Sequence, residues 1–99
     1  MLSKVPILLE RIRKEDLDKE ILRAAIIAEL DAINLYEQMA DMTKDRGLRI
    51  LLLDVAKEEK THIGEFQALL LTKDVEQEGE LKEGRNEVEA LFRKMTRKQ

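Results

Sequence analysis

The segment KEEKTHIGEF, residues 57–66, carries the only histidine of the chain. Glu59 precedes His62 by three positions, which on a helix puts the two side chains one turn apart on one side. Counting onward by threes and fours places them in a row with Leu52, Val55, Phe66 and Leu69, an apolar stripe that ought to face a core. The same count in the preceding segment runs through Leu22, Ala25/Ile26, Ile33, Tyr36 and Ala40, and Glu29 interrupts it. An unpaired carboxylate on a buried stripe costs several kcal/mol unless it is protonated, paired or bound to a metal. Lys and Arg are absent from both stripes at these levels. Two carboxylates and one imidazole suit iron or manganese and also accept zinc. The bland alternative is that the three residues line an oligomer interface, where a solitary histidine merely satisfies its neighbours.

These residues must be positioned by helices. Aromatic residues make up 3% of the 99 and charged residues 39%, with one proline, a balance rich in Glu, Lys, Arg, Leu, Ile and Ala that favours an all-α fold. The stretch from Asp16 to about Met42 has neither glycine nor proline and predicts a helix of about 40 Å. TKDRG at 43–47 interrupts the pattern, and Asp45 is a suitable N-cap for a second helix that runs to about Leu71 with Leu48, Leu51/Leu52, Val55, Phe66 and Leu69/Leu70 on its inner face. A break this short makes the two helices an antiparallel hairpin over 16–73. Gly64 inside the second helix costs about 1 kcal/mol relative to alanine, and a close helix crossing would account for it. Residues 74–84, acidic and containing two glycines, read as a linker. A short C-terminal helix follows over 85–99, with Val88, Leu91/Phe92 and Met95 on one face and basic residues at its end. Residues 1–15 hold a short apolar run that either docks as a helix or stays mobile.

Composition excludes several functions. Eighteen basic against 21 acidic residues, net −3, offer no basic surface for nucleic acid. No cysteine means no disulfide, thiolate site or thiol catalysis. Apolar runs are too short to span a membrane and no secretion signal is evident, so the chain reads as cytoplasmic. A chain of this size also gains from partner chains that help bury its apolar stripes.

AELDAINLYEQ (28–38) followed by EEKTH (58–62) resembles the ferritin-like di-iron pattern, a Glu seven positions before a Tyr and a Glu-x-x-His some thirty residues on. The closer likeness, over about residues 20–73, is to the encapsulated ferritins, short chains with one helical hairpin and a C-terminal helix. Ferritin-like di-iron sites take four Glu and two His, and this chain holds half the set. The resemblance therefore implies a homodimer that completes a four-helix bundle, with Glu29, Glu59 and His62 from two chains binding two irons, and dimers that assemble into a ring, a decamer, inside the nanocompartment of an encapsulin shell, separate or fused. It implies Fe(II) oxidation by dioxygen, with Glu29, Glu59 and His62 as catalytic ligands and Tyr36 hydrogen-bonding beside them. Two departures stand out. Ala28 occupies a position where the family often has an acid of an outer metal-uptake site, leaving Asp31 as the remaining candidate there, and Leu35 replaces an aromatic before Tyr36. Glu58 and Glu65 flank the inner stripe as guides for iron or as solvated acids. Two other functions compete with ferroxidase: a di-metal peroxidase or catalase, and a helical oligomerisation module without catalysis.

Overall fold

The structure, a computed structural model, describes residues 13–97, with Glu15 described by its backbone alone. After a single 3-10 turn at Lys14–Asp16 come three helices, α1 (Leu17–Met42), α2 (Arg46–Lys73) and α3 (Val75–Arg97), and the described residues contain no strand. The fold is all-α, as the composition predicts. Most of the segment expected over residues 1–15 lies outside the described residues, as do the last two residues of the C-terminal helix.

Helices α1 and α2 form the antiparallel hairpin. Between them, Asp45 takes an extended conformation and its Oδ1 accepts a hydrogen bond from the Leu48 amide at 3.0 Å, which satisfies one of the free N–H groups at the start of α2. Arg49 ties the turn from the other side, donating from Nε to the Ala40 carbonyl and from its guanidinium to the Thr43 carbonyl, at 3.1 and 3.0 Å. These bonds occupy carbonyls that the end of α1 would otherwise leave unpaired.

Among the described residues, Leu22, Ile33 and Ala40 of α1 and Ala56 and Leu70 of α2 are the buried apolar ones. Ala40 and Ala56 are each 2% exposed, and small residues at such places let the helix axes approach closely. The stripe on α2 is narrower than expected: Leu70 is buried and Leu52, Val55 and Phe66 are half-buried, but Leu48, Leu51 and Leu69 are 45–59% exposed. A two-helix hairpin buries only the residues along its single seam, so a broad apolar stripe leaves its flanks uncovered. A Cβ added at Gly64 would meet nothing within 4 Å, so no close crossing within the chain explains that glycine.

The largest departure from the sequence reading lies at 74–84. In place of a linker, α3 begins at Val75 and includes Gly79 and Gly84. Asp74 breaks the helix at φ −138°, ψ 84°, and its Oδ1 accepts from the Gln77 amide at 3.0 Å, capping α3. Its other oxygen, Oδ2, takes a 2.7 Å hydrogen bond from Arg23 of α1. Ion pairs one turn apart, Lys82 with Glu78 at 3.7 Å and Arg85 with Glu89 at 3.9 Å, add local support. No residue of α3 is buried apart from the half-buried Gln77 near its start. α3 leaves the hairpin at Asp74 as a second limb, with Gln67 and Leu71 of α2 and Leu81 and Arg85 of α3 lining the groove inside the elbow, and the described residues measure 52 × 46 × 20 Å.

Candidate metal centre

Glu29 lies near the middle of α1, and Glu59 and His62 lie on consecutive turns of α2. The antiparallel register brings them together, so that one ligand atom from each lies within 4.8 Å of the others. His62 Nδ1 is 3.4 Å from Glu29 Oε2 and 3.5 Å from Glu59 Oε2. The two carboxylate side chains are about a fifth exposed, at 20% and 18%, and the imidazole is 44% exposed.

Glu29 Oε2 is fully buried and makes no hydrogen bond among the described residues. Leaving such a donor or acceptor unsatisfied costs about 1–3 kcal/mol, and more when it is charged. A histidinium bridging both carboxylates would draw them to about 2.7–2.9 Å, the length of a charge-assisted hydrogen bond. The observed 3.4 and 3.5 Å are longer. They lie at or just beyond the spacing of two ligands sharing one cation, about 3.0–3.4 Å when each metal–ligand bond is about 2.1 Å. The donor set of two carboxylates and an imidazole and the orphaned oxygen fit a divalent metal of the iron, manganese or zinc type.

Neighbouring charges do not fill the gap. Lys60 crosses between the helices to Glu37 at 3.2 Å, with both side chains about half exposed, and leaves the cluster alone. Tyr36 lies two turns beyond Glu29 on α1, half-buried, and its hydroxyl makes no hydrogen bond among the described residues. Asp31 is half-buried and is not among the three residues gathered at the centre, and Glu58 and Glu65 are exposed. The sequence carries a signal for the Asp74 cap, Gln77 three residues later at a capping-box spacing, but none for the Arg23–Asp74 pair.

A helical hairpin with Glu on one arm and Glu-x-x-His on the other is the constellation of a ferritin-like protein. Residues 20–99 match the rubrerythrin family, and the chain belongs to it, a family whose members typically bind iron. The crystal structure of an encapsulated ferritin domain from Pyrococcus furiosus matches with a TM-score of 0.78 and 57% identity, over 92% of this chain and 95% of that one. Among curated proteins, a ferritin-like-encapsulin shell fusion protein from Pyrococcus furiosus is 61% identical over 94 residues, 92% of this chain and 27% of the relative. The encapsulin nanocompartment cargo protein EncC from Myxococcus xanthus is 40% identical over 62 residues, 63% of this chain and 48% of the relative. The chain thus spans about a quarter and about half the length of these curated relatives. No helix of the described residues is long and apolar enough to cross a membrane.

Proposed function

We propose that the chain is a ferroxidase, oxidising Fe(II) with dioxygen at a di-iron centre shared between two subunits. The observation that carries this reading is the Glu29–Glu59–His62 cluster with its orphaned Glu29 oxygen. One hairpin supplies two Glu and one His, and ferritin-like centres use four and two. Two hairpins related by a two-fold axis complete the set and a four-helix bundle. The half-exposed His62, its imidazole open on the side away from Glu29 and Glu59, agrees with a second chain packing over this face.

Iron enters as substrate: two Fe(II) give up one electron each, and dioxygen takes both with two solvent protons to leave as hydrogen peroxide. Glu29 and Glu59 hold negative charge where the iron's positive charge increases, which favours the ferric product over the ferrous substrate. His62 supplies a neutral nitrogen donor, and the phenol of Tyr36, two turns along α1 from Glu29, would hydrogen-bond beside the carboxylates. Asp31 stands as the acid of an uptake route. Manganese or zinc would occupy the same ligands without this chemistry being implied.

The curated relatives carry encapsulin in their names, and 61% identity to the ferritin-like part of a shell fusion supports the same setting here. In this reading dimers form a ring, a decamer, housed in an encapsulin nanocompartment of the cytoplasm, where the ferric product is stored. The match to the rubrerythrin family favours one alternative, peroxide as the electron acceptor at the same centre. The absence of cysteine removes a rubredoxin-type electron supply from this chain.

The test uses the full chain, loaded anaerobically with Fe(II) and then given dioxygen, with oxygen consumption and ferric absorbance followed together. Glu59→Ala and His62→Ala abolish the oxidation. Oxidation at the wild-type rate in both variants overturns the reading, and rapid peroxide turnover with slow oxygen consumption replaces it by the peroxidase.

A further inference from the structure

Helices α2 and α3 are separated by one residue. The sequence across the junction, LLTKDVEQE at 70–78, holds neither glycine nor proline, so nothing in its covalent structure forbids a continuous helix. Free N–H groups at the start of α3 and free carbonyls at the end of α2 would pair with one another if the helix ran through. The bend must therefore be maintained by specific bonds. The structure shows two, and both belong to one carboxylate: Asp74 Oδ1 receives the Gln77 amide at 3.0 Å, and Asp74 Oδ2 receives the Arg23 guanidinium at 2.7 Å. Thr72 contributes to closing α2 by donating its hydroxyl to the Leu69 carbonyl at 2.6 Å. Lys73 and Asp18 approach at 4.0 Å, but that contact joins α2 to α1 and does not touch α3.

We infer that Asp74 is a hinge switch: its carboxylate, clamped by Arg23 of the hairpin, holds α3 at an angle to α2, and without that clamp the two helices merge into one rod. Arg23 is the positioning residue, linking the direction of α3 to the start of α1. Because α3 buries none of its residues against the hairpin, this carboxylate decides where its exposed apolar face, Leu81, Val88, Leu91, Phe92 and Met95, is presented relative to the Glu29–Glu59–His62 cluster. The device is independent of iron chemistry, and its test contains no metal.

The chain has no cysteine, so spin labels can be introduced cleanly at two exposed positions, Lys57→Cys on α2 and Arg93→Cys on α3. Their separation is read by pulsed electron–electron resonance, with labelled chains diluted into excess unlabelled protein so that only distances within one chain are seen. In a continuous helix these 36 residues span about 54 Å at 1.5 Å per residue. Two limbs of about 26 and 29 Å meeting at a bend bring the labels substantially closer. The parent shows the shorter distance. Asp74→Ala adds a population near 54 Å with undiminished helical circular dichroism, and Arg23→Gln, a surface change that leaves the hairpin seam intact, adds a smaller one. A distance distribution identical to the parent's in either folded variant overturns the inference.

Discussion

Replacing Glu29 by leucine separates the two readings of the cluster, because they predict opposite effects. In the metal-free chain Glu29 Oε2 is buried with no hydrogen bond, a penalty of about 1–3 kcal/mol that leucine removes. Replacing a buried charge by an apolar side chain of similar size is often stabilising by a similar amount. The metal-free Glu29→Leu protein is therefore expected to be more stable than the parent by about 2 kcal/mol, a rise in Tm of roughly 10 °C for a chain of this length. Metal reverses the order. A ligand at about a hundred times its Kd stabilises the parent by about 2.7 kcal/mol, and the variant, lacking one ligand from each chain, forfeits most of that gain. Scanning calorimetry of both proteins at one fixed chain concentration, with chelator and then with Mn(II) under anaerobic conditions, gives the four values needed. A lower Tm for metal-free Glu29→Leu would refute the argument, since Glu29 would then be a satisfied structural partner of His62. So would a metal-induced shift equal to the parent's.

Other consequences are local. Ala56 is 2% exposed at the hairpin seam, so Ala56→Leu overpacks the contact and costs about 1–3 kcal/mol, measured from the urea midpoint at constant m-value. Asp45→Ala removes the cap from Leu48 and costs about 1 kcal/mol by the same measurement. Asp74 titrates below the ordinary carboxylate value of 3.8, chiefly through the Gln77 amide, then through the Arg23 guanidinium, with Lys19 adding to the positive field. A carboxyl whose folded value is depressed contributes stability that is fully present above the unfolded value and is lost as pH falls through the folded one. The hinge is therefore insensitive to pH between 5 and 8 and releases only in acid below the ordinary value. Arg23→Gln should raise the midpoint of Asp74 toward 3.8, followed by the chemical shift of its carboxyl carbon; a midpoint unmoved by that change would contradict the clamp.

The parts of the molecule that were legible in the sequence are those held by local rules or by a strict period. Asp45 announces the start of α2 because its side chain caps that helix, a bond made within four residues. Glu29, Glu59 and His62 stand out because the period that aligns Leu22, Ile33 and Ala40 on α1 and Val55 and Phe66 on α2 also runs through them, and the structure gathers all three. What the period does not reveal is how much of a stripe one partner helix covers, which is why Leu69 is exposed where Leu70 is buried. At 74–84 the acids and two glycines outweigh a weak apolar pattern, so the sequence there reads as a linker where the structure has helix. The helix there rests on the Asp74 cap and on pairs such as Lys82–Glu78, and the Arg23 bond comes from 51 residues away. Such a long-range partner leaves no periodic trace.

The shared metal centre is tested most directly by crystals soaked in ferrous salt under nitrogen, with diffraction recorded on both sides of the iron absorption edge. The account predicts two anomalous peaks between paired hairpins, each within about 2.0–2.2 Å of a Glu29 or Glu59 oxygen or a His62 nitrogen. Ordered side chains with no iron between them, or iron bound only at acids on the outer helix faces, would contradict it.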